Sequence, residues 1–333
     1  MDVPLVISHR TAWLFYHALR RHEVLASGED FAINEIGLPS RKVAQRVQRF
    51  LLACGVPERE LETIEILLAM DFMRTDSKPF RPHVLGAIVT ADDVHELVPG
   101  LCVVREELCF MQASTWMSRL ELIEYGYELC GRYEIPLSQS GNGFNRYVER
   151  SQPVTTRDGI RAYLSKQAGL RGSRKAADAL VRVRDGARSP AECAVAMLVN
   201  LDKKDGGLGC RSIQLNYSIE VPAAVRPLTT SSHFEVDIYV PRLKAGIEYD
   251  GEVHADALQR ARDAERLSAL AAMGVRIDII TRRQLGEQLP LHRALNAVAR
   301  NLKIRLDPTP RFQRAQNELR KFVIRNWPSQ SGR

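Results

Sequence analysis

The chain has 333 residues, of which 45% are hydrophobic and 26% charged, a composition typical of a soluble globular protein. This composition excludes a fibrous, collagen-like or wholly disordered chain, and no run of about 18 apolar residues predicts a transmembrane helix. Residues 1–21 mix charged with apolar side chains and do not resemble a secretory signal. We therefore expect a cytoplasmic protein without a membrane partner, and the length favours two domains.

The net charge of +7 is concentrated in two short blocks of the chain. Summed over the sequence, the charge is −6 in residues 1–149, +7 in 150–184, −1 in 185–299 and +7 in 300–333. Clustered Lys and Arg are what a phosphate backbone attracts, so the two blocks are candidate DNA contacts. A solvated helix face has the same composition, and the sequence leaves both interpretations open.

The six cysteines form no CxxC pair, which excludes a zinc-ribbon spacing. In the absence of a secretory signal, we expect reduced and mostly buried thiols.

The first half of the chain predicts a mainly α-helical N-terminal domain over residues 1–150. Residues 10–25 have the bulk of a buried helix, Ser40 is a suitable N-cap for a helix over 41–52, and 59–73 is predicted to be another helix. The basic outer face of the 41–52 helix could read DNA or simply face solvent. This domain is a candidate for binding DNA or a protein partner.

The second part of that domain predicts short strands over 84–104, with a turn at Pro99-Gly100, and then helices over 106–131. The turn-rich stretch 138–155 marks the main boundary. A basic helical connector over 151–188 follows, and it contains Arg171, Arg174 and Lys175.

The last part of the chain alternates helices with strands. Ser189, Pro190 and Glu192 have the spacing of a capped helix start. The pattern then predicts strands over 211–220, 234–241 and 245–249, a helix over 255–273, a strand over 275–281 and a helix over 283–303. The order αβββαβ predicts an α/β (α+β) domain over 189–305, with a mixed sheet covered by helices. Residues 306–333 are predicted to be a basic C-terminal tail.

Three acidic residues lie where this order of strands would bring them together. Asp237 lies within one predicted strand, and Glu248 and Asp250 lie two residues apart near the end of the next. A hairpin between the strands would place Asp237 beside Glu248. Because clustered carboxylates need a compensating cation, the pattern indicates Mg²⁺ or Mn²⁺, which could activate water against a phosphodiester.

The same residues carry a resemblance to a known superfamily. The run Phe234-Glu-Val-Asp-Ile-Tyr-Val, then Gly246-Ile-Glu-Tyr-Asp-Gly-Glu-Val-His, and Asp263-Ala-Glu-Arg downstream resemble PD-(D/E)XK nucleases, in particular the very-short-patch-repair-like endonuclease branch. The resemblance covers residues 189–285 and implies a restriction-endonuclease-like αβββαβ fold.

Carried over residue by residue, the resemblance makes Asp237 the motif aspartate and Glu248 the second acid, both metal ligands. Glu192 takes the place of the first-helix glutamate that assists metal binding, and His254 and the Asp263/Arg266 pair take further polar positions of that branch. The motif lysine is replaced by Asp250, which could be a further metal ligand. His254 or Lys244 could then supply the missing proton-handling or cationic group.

A broader likeness covers the whole chain. The segments that begin at Leu108, Glu121 and Ser189 look like actinobacterial proteins related to the AbiE-type antitoxin, a toxin–antitoxin family of DNA-binding autoregulators. Two functions therefore stay open: a metal-dependent DNA endonuclease, and a non-catalytic DNA-binding regulator on a degenerate nuclease fold. A protein-interaction module is a third class. The predicted DNA contacts are Arg171, Arg174, Lys175, Arg266, Arg311 and Arg314.

Overall fold

The computed structural model describes residues 5–27, 31, 40–68, 78–86, 90–137, 147–251, 257–306 and 309–326. These residues divide into two compact units. The first takes those within Met1–Leu129, Glu134–Val148 and Val154–Val183, and the second takes those within Cys130–Tyr133, Glu149–Pro153 and Arg184–Arg333. The predicted α+β class is confirmed, because each unit combines helices with a mixed sheet.

The first unit contains a sheet whose described strands lie in the order β3-β2-β1-β5-β4. Their bounds are β1 (Leu5–Ile7), β2 (Ile64–Leu68), β3 (Phe80–Val84), β4 (Val94–Val98) and β5 (Leu101–Val104). Strand β1 pairs antiparallel with β2 and parallel with β5, while β2 and β3 are parallel. The antiparallel pairing of β4 with β5 is the hairpin predicted around Pro99-Gly100.

This sheet corrects one helix predicted for the N-terminal domain. Where the structure describes the segment 59–73, it contains the strand β2 instead of the predicted helix. The β-branched Ile64 and Ile66 favour an extended backbone, and both are fully buried. Strand β2 pairs with β1 on one side and with β3 on the other. Its extended conformation depends on these pairings, which the local pattern of apolar residues does not indicate.

The helices of the first unit come between and after the strands of this sheet in the sequence. They are α1 (His9–Tyr16), α2 (Arg21–Ser27), α3 (Arg41–Cys54), α4 (Glu106–Ala113), α5 (Arg119–Leu129), α6 (Arg157–Lys166) and α7 (Ser173–Leu180). Helix α3 begins as predicted, with the Ser40 hydroxyl accepting a hydrogen bond from the Val43 amide at 3.2 Å. The segment predicted as a connector contributes α6 and α7, which belong to the first compact unit. A separate ribbon pairs β6 (Tyr133–Glu134) with β7 (Val148–Glu149).

The second unit follows the predicted order of helices and strands. Its elements are α8 (Pro190–Asn200), β8 (Gln214–Glu220), β9 (His233–Val240), β10 (Ala245–Asp250), α9 (Ala257–Ala272), β11 (Arg276–Thr281), α10 (Arg282–Gly286), α11 (Gln288–Asn301) and α12 (Pro310–Val323). The sheet has the order β11-β10-β9-β8. Strands β8, β9 and β10 are antiparallel neighbours, and β11 returns parallel to β10 after α9.

A hydrophobic cluster fixes α9 against this sheet. Ala269 and Leu270 on α9 pack with Phe234 and Val236 of β9 and with Val275, and all of these side chains are buried. Residues four positions apart lie on the same side of a helix, so Arg266 lies on the side of α9 that carries Leu270. The packing of α9 therefore directs Arg266 towards the sheet.

The predicted basic tail is a helix where the structure describes it. Helix α12 buries Phe312, Leu319 and Val323, and Thr309 caps its first turn through the Phe312 amide at 3.3 Å. It lies against the turn at Gly206, where an added Cβ would come within 2.3 Å of the Ala315 carbonyl oxygen. The buried side of α12 is thus covered by other residues of the second unit, among them the turn at Gly206.

All six cysteine side chains are buried, as predicted. In the part of the chain that the structure describes, every helix is too short or too polar to cross a lipid bilayer.

Two glycines in one turn allow a test of how α12 docks. Gly206 and Gly209 both have positive φ, +92° and +80°, but a Cβ on Gly209 would meet nothing within 4 Å. We expect Gly209→Ala to cost about 1 kcal/mol through backbone strain alone. Gly206→Ala should cost about 1–3 kcal/mol more, because the new methyl overlaps α12. Urea unfolding of both variants measures the difference, and equal losses would contradict this packing.

Candidate functional site

The two principal acids lie where strands β9 and β10 stop pairing. Their backbone register runs through Val240↔Ala245 to Ile238↔Ile247, while β10 continues to pair with β11 as far as Asp250↔Thr281. Asp237 and Glu248 are the next residues on their strands after the last pair. The structure therefore brings these two predicted residues together.

Asp237 takes over part of the missing backbone pairing. Its Oδ2 atom accepts a hydrogen bond from the Tyr249 amide at 2.9 Å, at a position where an antiparallel neighbour would normally offer a carbonyl. This bond fixes the carboxylate at the opening between the strands. The Tyr249 amide therefore keeps a hydrogen-bond acceptor although the strands separate here.

Glu192 joins the two strand acids from the start of helix α8. The Ser189 hydroxyl accepts a hydrogen bond from the Glu192 amide at 3.1 Å, so the predicted N-cap is confirmed. The Glu192 carboxylate accepts hydrogen bonds from the Arg188 amide at 2.8 Å and from the Asn216 side chain at 2.6 Å. Glu192 thus holds together the start of α8 and strand β8, and its charge acts on Asp237.

The electrostatic environment of Asp237 is unfavourable to its ionised form. Burial raises the pKa of the Asp237 carboxyl from 3.8 to about 6, and the charges of Glu192 and Glu248 add to this rise. The Tyr249 hydrogen bond and the Arg266 guanidinium act in the opposite direction. A raised pKa of this kind is common at functional sites, where it marks a group that gains from an added positive charge.

Arg266 supplies the positive charge that Glu248 needs. Its Nη1 atom donates to Glu248 Oε2 at 2.9 Å, and its Nη2 atom donates to Glu248 Oε1 and, at 2.6 Å, to the Glu235 carbonyl oxygen. The side chains of Arg266 and Glu248 are only 25% and 19% exposed, so solvent screens the pair weakly. Arg266, predicted as a DNA contact, is engaged within the protein in this structure.

A second two-pronged ion pair lies beside the first and was not predicted. Arg188 donates to both carboxylate oxygens of Glu235, at 2.6 and 2.7 Å. The hydrogen bonds to Glu235 raise the pKa of Arg188, with contributions from the charges of Glu192 and Asp237. The position of Arg188 directly before the capping box was the available signal, but no sequence pattern pairs it with Glu235.

The remaining predicted site residues differ in their placement. Asp250 ends strand β10 and is exposed, while His254 lies outside the described residues. Lys244 is the lysine that the sequence predicts as a substitute for the motif lysine. It precedes β10 and so lies at the opposite end of that strand from Asp250. Its ammonium group donates to the Met273 carbonyl oxygen at 3.3 Å. Lys244 therefore does not replace the motif lysine.

The arrangement of these acids does not fit a preformed metal site. Both oxygens of Glu248 are bonded to Arg266, and both oxygens of Glu192 accept hydrogen bonds from protein donors. Within the described ranges, no three His, Cys, Asp or Glu side chains are arranged to hold a metal ion. Mg²⁺ requires a near-octahedral set of oxygen ligands, whereas here an arginine compensates the charge.

The predicted DNA contacts are distributed over both units. In the second unit, Arg311 and Arg314 are exposed and lie one turn apart at the start of α12. In the first unit, Arg171 and Arg174 are exposed, and Lys175 donates to the Met117 carbonyl oxygen at 2.7 Å. Among the described residues, the structure gives neither Arg311 nor Arg314 a carboxylate partner within 4 Å.

Comparisons with models of known protein families, with curated proteins and with solved structures found no match to this chain.

The raised pKa of Asp237 predicts a pH-dependent effect of Asp237→Asn. With a folded-state pKa near 6 and an unfolded value near 3.8, ionised Asp237 destabilises the fold above pH 6, and this cost disappears as the pH falls below about 4. Asparagine keeps an acceptor for the Tyr249 amide but carries no charge. We expect Asp237→Asn to gain about 1–2 kcal/mol at pH 7.5 and almost nothing near pH 4.

Urea unfolding between pH 4 and pH 8 measures this difference. Asp178→Asn, which alters an exposed aspartate in the first unit, is the matched control. A stability difference for Asp237→Asn that does not change with pH would contradict the electrostatic description of the site.

Proposed function

We propose that the chain is a DNA-binding protein whose second unit is a restriction-endonuclease-like domain, and that it binds DNA without cleaving it. The order αβββαβ, with Asp237 and Glu248 side by side where two strands separate, supports the resemblance to PD-(D/E)XK nucleases. The proposed role is that of a regulator, as in the antitoxin-like proteins that the whole chain resembles.

The observation that carries the non-catalytic part of this proposal is the pair between Arg266 and Glu248. The second acid of the motif is held by the two terminal Nη nitrogens of the Arg266 guanidinium, so an internal cation compensates the charge that a metal would otherwise balance. The motif lysine is also replaced, since Asp250 stands in its place and Lys244 lies at the other end of the strand. Both features support the proposal that the chain does not hydrolyse phosphodiesters.

The DNA-binding part of the proposal rests on the basic face of α12. The buried side of this helix consists of Phe312, Leu319, Val323 and the polar Gln316, which leaves Arg311 and Arg314 on the outside. In the part of the chain that the structure describes, no carboxylate competes for them, so both guanidinium groups are available to phosphates. The +7 charge of residues 300–333 adds a general attraction to a polyanion.

Arg311 and Arg314 are tested by removing them together. We expect Arg311→Ala/Arg314→Ala to weaken binding to duplex DNA by about tenfold or more at 100 mM salt. The slope of log K against log salt should fall by about 2, because each phosphate contact contributes about 0.9. Gel shifts and fluorescence anisotropy over a salt series give both quantities.

Lys321→Ala is the control for this experiment. Lys321 is exposed on the same helix, but it is paired with Glu318 at 2.8 Å, so its loss should change affinity little. Equal losses for the control and the double variant, or no binding of the unchanged protein at 50 mM salt, would contradict the proposal and favour a protein-interaction module.

A second candidate function, a metal-dependent DNA endonuclease, is favoured by one observation. The pKa of Asp237 is raised by burial and by Glu192 and Glu248, so the acid cluster still lacks positive charge beside Asp237. In this alternative, Mg²⁺ or Mn²⁺ would bind only after Glu248 had left Arg266.

Cleavage assays distinguish the two functions. On supercoiled and linear DNA with Mg²⁺ or Mn²⁺, the DNA-binding proposal predicts no nicking and an affinity that EDTA does not change. Metal-dependent nicking that is lost in both Asp237→Asn and Glu248→Gln would overturn the non-catalytic proposal and establish the endonuclease. The control is Asp178→Asn, which should behave like the unchanged protein in either case.

A further inference from the structure

A pocket of about 380 Å³ lies within the first unit, among the start of α1, strands β2 and β3 and the end of α4. Its volume falls in the range of pockets that bind small organic ligands, and it is several times larger than a water or an inorganic anion requires. All of its lining residues belong to one compact unit, so its shape does not depend on how the two units are arranged. The function proposed above does not use it.

Two stacked imidazole rings form one wall of this pocket. The rings of His9 and His83 lie with their centroids 3.7 Å apart and their planes inclined by 19°. Burial, together with the neighbouring charges of His83 and Arg171, lowers the pKa of His9 to about 3, although Glu65 acts in the opposite direction. His9 is therefore neutral at physiological pH, and the wall presents a flat aromatic surface.

The backbone of His9 is held in an uncommon conformation. His9 has φ of +49°, which is unfavourable for a residue with a side chain, and its amide donates to Gln112 Oε1 at 2.8 Å. Strained residues of this kind are concentrated at ligand-binding and catalytic positions. The hydrogen bond to Gln112 stabilises this backbone conformation, in which the imidazole stacks on that of His83.

The side-chain NH₂ group of Gln112 donates no hydrogen bond to any described residue. Gln112 is 3% exposed, and its Nε2 atom is buried without a hydrogen-bond partner among the described residues. A buried donor without an acceptor costs about 1–3 kcal/mol. Because Gln112 lines the pocket, an acceptor atom of a bound ligand would recover this cost.

The charges around the pocket favour an anionic group. Arg81 and Arg171 line the pocket and are exposed. Arg81 Nη1 lies 3.8 Å from Glu65 Oε1, whereas the structure gives Arg171 no ionic partner among the described residues. The one carboxylate in the lining, Glu65, accepts hydrogen bonds from the Arg10 amide at 2.7 Å and from His83 at 3.2 Å. Glu65 is thus largely satisfied, and Arg171 is left to meet a ligand.

Trp116 adds a second aromatic surface. Its ring centroid lies 6.2 Å from that of His9, at an angle of 40°. The pocket therefore combines flat aromatic faces, a buried amide donor and arginines. A nucleotide has the matching parts: a base that stacks, acceptor atoms on the base edge and a phosphate.

We propose that this pocket binds a nucleoside 5′-phosphate, with the phosphate at Arg171 and Arg81, the base stacked beside Trp116 and His83, and a base acceptor atom on Gln112 Nε2. The same chemical group is available from a free mononucleotide or from the 5′-phosphorylated end of a nucleic acid strand. A pocket of this volume holds one nucleotide, so both sources would occupy it in the same way.

Calorimetric titration of the full chain with AMP, GMP, CMP and UMP tests the proposal. We expect at least one of them to bind, and we expect Arg171→Ala to weaken that binding about tenfold or more, as the loss of a charged phosphate contact requires. Arg20→Ala is the control, because Arg20 is an exposed arginine of the same unit that neither lines the pocket nor belongs to the predicted DNA contacts. Gln112→Glu keeps the acceptor for the His9 amide but replaces the donor, and it should weaken binding as well.

The source of the ligand is resolved by a second titration with single-stranded oligonucleotides that carry either a 5′-phosphate or a 5′-hydroxyl. Tighter binding of the phosphorylated strand than of any mononucleotide, lost in Arg171→Ala, assigns the pocket to nucleic acid ends. Tighter binding of a mononucleotide assigns it to free nucleotides. Absence of binding by all of these ligands at millimolar concentration, or equal losses in Arg171→Ala and Arg20→Ala, would overturn the proposal.

Discussion

The second unit is organised around the need to compensate negative charge where β9 and β10 separate. Ending the pairing at Ile238 and Ile247 leaves room between the strands, and three carboxylates lie around that opening. Carboxylates that are partly withdrawn from water and close together repel one another unless a cation is present. Arg266 meets this need for Glu248, while Asp237 remains only partly compensated. The geometry of the site follows from how that arginine is supplied.

Arg266 depends on the rest of the second unit for its position. Helix α9 is fixed by the apolar contacts of Ala269 and Leu270 with β9, and the parallel return of β11 sets the side of the sheet on which α9 lies. One helical turn separates Leu270 from Arg266, so hydrophobic packing and charge compensation are properties of the same helix face. The scaffold of the second unit therefore compensates this acid site with one of its own side chains.

The success of prediction from the sequence differed between the two units for physical reasons. In the second unit, strongly apolar strands and the capping residues Ser189 and Glu192 encode local structure, so the order of elements and the proximity of Asp237 to Glu248 could be predicted. In the first unit, strand β2 was predicted to be a helix, because its extended conformation depends on two neighbouring strands. The Arg266–Glu248 and Arg188–Glu235 pairs and the His9–His83 wall join residues distant in sequence, and no local spacing indicates such contacts.

The hydrogen bond between the Tyr249 amide and Asp237 has a mechanical consequence. A side-chain carboxylate, and not a backbone carbonyl, holds this point of β10, so the strength of the bond depends on whether the carboxylate carries a proton. Strand β10 is simultaneously tied to β11 by parallel pairing through Asp250. A proton arriving at Asp237 would therefore weaken the bond that holds this point of β10, while the pairing of β10 with β11 does not depend on that carboxylate.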